Sequence, residues 1–125
     1  MNLNQVTLPA VDLEPAVAFY RRLGLRLIVD ALPRYARFEC PDGESTLSVE
    51  QVPALPSGPG PVIYLECDDL DATVERLAAE GVWFDSPPAD QPWLWREARL
   101  RDPAGNVLCL FHAGRNRREP PWRVP

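Results

Sequence analysis

A cysteine follows a tight turn near the end of the chain. Residues 102–110 read DPAGNVLCL, in which Pro103 presets φ and Gly105 tolerates a positive φ, so the segment predicts a turn leading into a strand. Alternation along that strand puts Val107, Cys109 and Phe111 on one face. Cys109 could be a nucleophile if a neighbouring His or Arg lowered its pKa, or a small packing residue. We prefer the packing interpretation because the sequence places no such neighbour.

The chain has one histidine, His112, at the end of the same strand and off the Cys109 face. Imidazole is the side chain best suited to general acid–base catalysis near neutral pH. A lone histidine at a strand end is more often an edge residue. We therefore assign no catalytic residue from the sequence.

Aromatic and charged residues also alternate within predicted strands. Trp93 and Trp95 share a face of the predicted strand WLWREARLR (93–101), and large aromatics on a strand usually belong to a core. The same strand also carries Arg96. Arg37 and Glu39 fall on one face of RYARFEC (34–40). These charges form either a solvated outer face, which is the simpler interpretation, or arginines that hold a carboxylate or phosphate of a ligand by a bidentate contact.

The composition excludes several chemistries and partners. Thirteen basic and eighteen acidic residues give a net charge of −5, which argues against a nucleic-acid partner. Every basic residue is arginine, so neither Schiff-base chemistry nor a Walker-type phosphate lysine is available. Three cysteines without a CxxC pair indicate no disulfide framework and no zinc knuckle. We find neither a membrane-spanning apolar run nor a secretory signal, and expect a cytoplasmic protein without a membrane partner.

The chain contains an internal repeat. Residues 6–25 align without a gap on residues 63–82, which pairs Asp12 with Asp69 as helix N-caps and Gly24 with Gly81 as helix ends. Each repeat predicts a strand (3–9 and 61–67), an amphipathic helix (13–23 and 70–80) and three further strands. Those strands are LRLIVD, RYARFEC and STLSVEQ in the first repeat, and WFDS, WLWREARLR and NVLCLFH in the second, with PPADQP as a breaker.

This pattern predicts an α+β fold made of two βαβββ modules, at residues 3–51 and 61–112, within one domain spanning residues 1–112. A Pro- and Gly-rich linker, 52–60, joins them. A basic, Pro-rich tail, 113–125, is either a frayed end or an arm whose Trp122 docks on a partner subunit.

The motifs AFYRRLGL (18–25) and RDPAGN (101–106), with Asp-Leu opening each helix, resemble those of the vicinal oxygen chelate superfamily over about residues 3–112. This glyoxalase, bleomycin resistance and dioxygenase group includes glyoxalase I, extradiol dioxygenases, methylmalonyl-CoA epimerase, fosfomycin-resistance thiol transferases and bleomycin-binding proteins. The resemblance implies that the two modules pair their sheets into a half-open cup, within one chain or across a module-swapped pair of chains. It also implies a homodimer.

Enzymes of that superfamily hold a divalent metal at four positions, one on the first and one on the last strand of each module. The resemblance maps these positions onto Gln5, Ser48, Val62 and Cys109. A hard divalent ion prefers imidazole and carboxylate ligands, whereas this set offers an amide, a hydroxyl, an apolar side chain and a thiol. We therefore expect no metal and no other cofactor, with Cys109 replacing the usual carboxylate.

The same resemblance implies which residues line the cup: Gln5, Thr7, Ser48, Val62, Tyr64, Trp93, Trp95, Cys109 and Phe111. Because the strand before DPxGN borders the cup in this superfamily, at least one of the two tryptophans is a candidate for stacking on a ligand. Our preferred hypothesis is a metal-independent protein of the glyoxalase/bleomycin-resistance type that sequesters a small aromatic or amphiphilic ligand. The alternatives are a metal-dependent lyase, isomerase, thiol transferase or extradiol dioxygenase, and a dimerising structural or regulatory module.

Overall fold

The computed structural model describes all 125 residues, Met1–Pro125. The chain divides into two compact units. The first unit comprises Met1–Gly60 together with the turn Asp102–Asn106, and the second comprises Pro61–Arg101 and Val107–Pro125. Neither α-helix has the length and the apolar composition that spanning a bilayer requires.

The first unit has the predicted βαβββ order. Its elements are β1 (Gln5–Ala10), α1 (Leu13–Arg22), β2 (Arg26–Ala31), β3 (Tyr35–Glu39) and β4 (Thr46–Gln51). The strands form one sheet in the order β1-β4-β3-β2, in which β1 runs parallel to β4 and the other neighbours are antiparallel.

The second unit repeats this order with β5 (Val62–Glu66), α2 (Leu70–Ala79), β6 (Ala89–Asp90), β7 (Arg96–Arg101) and β8 (Val107–His112). Its sheet has the order β5-β8-β7-β6. The first parallel pair starts at Gln5 opposite Thr46, and the second starts at Val62 opposite Val107. The two sheets therefore have equivalent registers, which confirms the internal repeat.

Both helices begin at the predicted residues and end one residue before the predicted ends. Asp12 accepts a hydrogen bond from the N–H of Glu14, and Asp69 accepts one from the N–H of Ala72, so each satisfies a free donor of the first helical turn. Gly24 and Gly81 have φ of 101° and 93°, a conformation that residues with a Cβ rarely adopt.

Each unit has its own core between the helix and one sheet face. In the first unit α1 packs on β2, β3 and β4, and the Tyr20 ring lies 5.6 Å from that of Phe38. In the second unit α2 packs on β7 and β8. In the first unit, the opposite sheet face carries Ser48 with its cross-strand neighbours Thr7 and Arg37. In the second unit, it carries Cys109 with its cross-strand neighbours Tyr64 and Arg99.

One predicted strand of the second unit is wrong, and another begins later than predicted. The segment WFDS forms only a single bridge, Phe84 with Leu100, and the short strand β6 lies instead inside the predicted breaker. The Asp85 N–H still donates to the carbonyl of Arg99, but Pro87 and Pro88 have no N–H to donate, so the pairing with β7 is interrupted between Ser86 and Ala89.

Strand β7 begins at Arg96 rather than at Trp93. The Gln91 N–H donates to the carbonyl of Trp95 at 2.7 Å, which closes a tight turn in which Leu94 has φ of 66°. Trp93 is part of this turn. The prediction that Trp93 and Trp95 share a strand face is therefore wrong, because the turn interrupts the alternation on which it rested.

The linker carries no regular element between Gln51 and Val62. The tail contains one short 3-10 helix, Gly114–Arg117. The Glu66 carboxylate accepts from the N–H groups of Ala113 and Gly114 at 2.8 and 2.9 Å, so the start of the tail is held to β5. Trp122 is largely exposed.

Candidate functional site

In the first unit, the sheet face opposite α1 carries a continuous chain of polar side chains. Gln5 Nε2 donates to Ser48 Oγ at 2.9 Å, and Gln5 Oε1 accepts from the Thr46 hydroxyl. The Ser48 and Tyr35 hydroxyl oxygens lie 2.6 Å apart, and Arg37 Nε donates to the Tyr35 hydroxyl at 2.9 Å. This network joins three strands, because Gln5 lies on β1, Ser48 on β4, and Tyr35 and Arg37 on β3.

The network acts on the acidity of Tyr35. Its hydrogen bond with Ser48, followed by its hydrogen bond with Arg37 and that residue's positive charge, lowers the pKa of the phenol from its ordinary value. Arg37 is half-buried and forms no ion pair with a carboxylate. Its neighbour on β3, Glu39, is paired instead with Arg26, at 3.1 Å.

In the second unit, the face opposite α2 carries three aromatic rings in mutual contact. Trp95 stacks on Phe111 with ring centroids 4.8 Å apart, and Tyr64 meets both rings edge to face at 5.8 and 5.6 Å. Phe111 is buried, Trp95 half-buried and Tyr64 exposed. Val62 packs against the same cluster. We call Tyr64, Trp95 and Phe111 the aromatic wall.

Cys109 lies next to this wall, beside an acidic side chain. It is fully buried and its thiol donates to Glu97 Oε1 at 3.6 Å. Burial, reinforced by the negative charge of Glu97, raises the pKa of the Cys109 thiol to about 12. The thiol is therefore protonated at neutral pH, which suits a packing residue and opposes nucleophilic catalysis.

The arginines of the two sheets occupy equivalent places. Arg37 lies directly opposite Ser48, and Arg99 lies directly opposite Cys109. Each donates to a tyrosine hydroxyl, since Arg99 Nη2 donates to Tyr64 at 3.2 Å. Arg96 differs, because it forms ion pairs with Asp71 and Asp90, each at 3.1 Å. For Arg96 the simpler interpretation, a charge in a surface ion-pair cluster, therefore applies.

The four residues onto which the resemblance maps the superfamily's metal positions form two separate contacts. Gln5 and Ser48 are hydrogen-bonded to each other, while Val62 packs on the cluster that contains Cys109. One of these residues has no donor atom and another is a thiol held protonated by burial, so the set does not fit a divalent cation. No group of three His, Cys, Asp or Glu side chains is arranged to hold a metal ion.

Two predicted site residues, Thr7 and Trp93, lie outside the aromatic wall, as does His112, to which the sequence assigned no catalytic role. His112 is exposed, and its Nδ1 is 2.8 Å from the carbonyl oxygen of Cys67. Thr7 is exposed beside Gln5, whose Nε2 lies 3.3 Å from the Thr7 hydroxyl. Trp93 is exposed in the turn before β7.

The chain matches the family model described as Glyoxalase/Bleomycin resistance protein/Dioxygenase superfamily over residues 2–110. The chain belongs to this superfamily. Membership accounts for both the tandem βαβββ order and the two mixed four-stranded sheets. One fold of this kind supports many chemistries, so membership does not decide between binding and catalysis.

Solved structures of the superfamily share the fold. A glyoxalase/bleomycin resistance protein/dioxygenase from Nocardioides is 30% identical, with a TM-score of 0.78 over 100% of this chain and 90% of that one. A lactoylglutathione lyase from Agrobacterium tumefaciens is 22% identical (TM-score 0.75, 89% of this chain and 92% of that one). A bleomycin-binding protein complexed with bleomycin is 24% identical (TM-score 0.73, 90% and 98%). No curated protein sequence matches the chain.

The sequence did not identify two residues on these sheet faces as part of a site. The sequence predicts only that Tyr35 lies in the strand RYARFEC and Glu97 in the strand WLWREARLR. Strand alternation could have placed Tyr35 on the Arg37 face, two residues away on β3. Nothing in the sequence indicated that Glu97 would be 96% buried beside a thiol, since that depends on packing.

Proposed function

We propose that this protein is a metal-independent small-molecule-binding protein of the glyoxalase/bleomycin-resistance type, which sequesters an aromatic or amphiphilic ligand. One observation carries the proposal: Val62 and a protonated Cys109, the residues onto which the resemblance maps the metal positions of the second unit, pack directly beside the aromatic wall. Aromatic side chains that are only partly buried offer flat apolar surface on which a ligand ring can stack.

The proposed ligand-facing residues of the second unit are Tyr64 and Trp95, with Val62, Cys109 and Phe111 behind them. Phe111 is buried and covers part of the Trp95 ring, so it supports the wall rather than contacting the ligand widely. In the first unit, exposed Thr7 remains a proposed ligand-contacting residue, whereas Gln5 and Ser48 belong to the proposed site as residues that position their polar neighbours. Trp93 also remains a proposed ligand-binding residue, in its turn rather than on the wall.

The test is a thermal-shift screen of aromatic antibiotics, bleomycin among them, and of aromatic metabolites, followed by calorimetric titration of each hit. We expect Trp95→Ala to weaken binding about fivefold or more, since stacking on an aromatic ring typically contributes about 1 kcal/mol or more. Trp83→Ala is the matched control, because Trp83 is 81% exposed and outside the wall. Trp93→Ala measures the contribution of the turn.

Two outcomes would overturn the proposal. One is a hit that binds a Tyr64→Ala, Trp95→Ala double variant as tightly as the parent. The other is near-stoichiometric nickel, zinc, manganese or iron in protein purified without a tag or chelator, together with a chelator-sensitive activity on a hemithioacetal or a catechol. That second result would favour the metal-dependent enzyme of the superfamily instead.

We also propose that the protein is a homodimer, as the superfamily resemblance implies. Light scattering coupled to size exclusion then gives twice the 14.0 kDa mass of the chain. A monomeric mass across micromolar concentrations would contradict this expectation. Removing residues 118–125, which include the exposed Trp122, tests whether the tail contributes to the dimer.

A further inference from the structure

The polar network of the first unit has a defined direction. The Gln5 side chain is oriented by the carbonyl of Val6, which can only accept, so the atom 3.1 Å away must be Nε2 and not Oε1. Gln5 Nε2 therefore also donates to Ser48 Oγ. Ser48 thus has its own hydroxyl proton left to place.

That proton has one available acceptor. Ser48 is fully buried, and the Tyr35 hydroxyl, 2.6 Å away, is the only further polar partner of its oxygen. If Tyr35 donated to Ser48, the Ser48 proton would be buried without an acceptor, which is unfavourable. The favoured arrangement therefore has Ser48 donating to Tyr35.

The Tyr35 oxygen consequently accepts two hydrogen bonds, one from Ser48 and one from Arg37 Nε. Its own proton has no partner within the protein. Two donors on the phenol oxygen polarise its O–H bond and make it a stronger donor. Half-buried Tyr35 thus presents a free, activated hydroxyl proton at the accessible side of the network.

Arg37 adds positive charge at the same place. Its Nε is used by Tyr35, whereas Nη1 and Nη2 have no hydrogen-bond partner. Three arginines are half-buried, namely Arg37, Arg96 and Arg99, and of these only Arg96 is neutralised by carboxylates. A half-buried guanidinium is screened less by solvent than an exposed one, so it attracts an anion more strongly.

Two acidic residues lie near this pair. Glu39, on the same strand, is held by Arg26. Glu50 lies opposite Tyr35 in the register of β3 and β4, is exposed and forms no ion pair with Arg37. Glu50 opposes an incoming anion, but from an exposed position where its charge is well solvated.

We propose that Arg37 and Tyr35 form an oxyanion-binding site, which takes the carboxylate or phosphate group of a small molecule on the Arg37 Nη donors and the Tyr35 hydroxyl proton. Gln5 and Ser48 are positioning residues, because they fix the direction of the hydrogen bonds and leave the phenol proton free. The site lies entirely within the first unit and does not depend on the aromatic wall.

The experiment titrates acetate and inorganic phosphate separately into the protein, at ionic strength held constant with sodium chloride. Binding is followed by the side-chain NMR signals of arginine and tyrosine. We expect saturable binding of at least one anion in the millimolar range, and the arm that saturates identifies the group recognised. Arg37→Gln should weaken it at least tenfold and Tyr35→Phe about threefold to tenfold.

Two further variants separate a built site from general charge attraction. Arg34→Gln removes the same charge from an exposed residue near β3 and should change affinity less than twofold. Glu50→Gln should tighten binding about twofold to threefold. Equal weakening by Arg34→Gln and Arg37→Gln, or no saturable binding of either anion up to about 100 mM, would overturn the proposal.

A spectroscopic measurement tests the hydrogen-bond direction. The chain has three tyrosines, and Tyr20 is buried beside Asp102, which raises the pKa of that phenol. The tyrosine that ionises at the lowest pH, followed by absorbance at 295 nm, should disappear in Tyr35→Phe. Its midpoint should move to higher pH in Ser48→Ala and in the presence of the bound anion, because each change stabilises the protonated phenol relative to the phenolate. An unmoved midpoint in both cases would contradict the proposed arrangement.

Discussion

Removal of one hydroxyl group in the first unit should measurably destabilise the protein. The Tyr20 hydroxyl donates to Asp102 Oδ2 at 2.6 Å, and both residues are buried. The bond connects α1 to the DPAGN turn, which belongs to the same compact unit. Tyr20→Phe deletes this bond and leaves the ring in place.

The magnitude follows from the partners that Asp102 keeps. Its Oδ1 accepts from the N–H groups of Ala104 and Asn106, both at 2.9 Å, and its Oδ2 accepts from Asn106 Nδ2 at 2.8 Å. A buried hydrogen bond to a charged group contributes about 1.5–3 kcal/mol. Because three donors still bond the Asp102 carboxylate in Tyr20→Phe, we expect a loss in the lower part of that range, about 2 kcal/mol. For a chain of this length that corresponds to a fall in Tm of roughly 8 °C.

Urea denaturation of Tyr20→Phe and of the parent, with equal m-values, measures the difference in the free energy of unfolding. Tyr64→Phe is the matched control, because it removes a hydroxyl that bonds Arg99 at an exposed site and should cost less than about 0.5 kcal/mol. A loss below about 0.5 kcal/mol for Tyr20→Phe would refute the inference that the Tyr20–Asp102 bond is buried and charge-assisted.

Three further predictions concern Cys109 and a helix end. At pH 8 only about one Cys109 thiol in ten thousand is ionised, so a thiol reagent should label Cys109 only in denaturant; labelling of native Cys109 at the rate of an exposed thiol would contradict this. Because the pKa of Cys109 is higher in the folded than in the unfolded chain, its contribution to the free energy of unfolding is fully present below about pH 9. This contribution is lost as the pH rises towards 12. Between pH 8 and 10 the parent should therefore lose about 1 kcal/mol more unfolding free energy than Cys109→Ala, and equal losses in urea titrations would be evidence against it. Gly81→Ala should cost about 1 kcal/mol because φ is 93°, whereas Gly60→Ala, in open space at an ordinary φ, should cost almost nothing by the same assay.

Interactions between residues close in sequence made most of the helices and strands predictable. The Asp12 and Asp69 caps, the Gly24 and Gly81 ends and the repeat between them depend on interactions within a few residues, and all are confirmed. Errors fall in 83–95, where the outcome depends on which distant backbone groups are free to pair. Phe84 forms a single bridge with Leu100 on β7. The hydrogen bond from Gln91 to Trp95 closes a turn, so β7 begins at Arg96 rather than at Trp93 as the alternation predicted.

The sequence by itself determined the βαβββ repeat, which follows from periodicity and turn residues, and its AFYRRLGL and RDPAGN motifs indicated the superfamily. Only the tertiary structure decided that Tyr35 lies between Ser48 and Arg37, that Trp95 rather than Trp93 stacks on Phe111, and that Cys109 is buried beside Glu97. Those contacts join residues on different strands or beyond a turn. They depend on strand register and side-chain packing, which local sequence patterns do not specify.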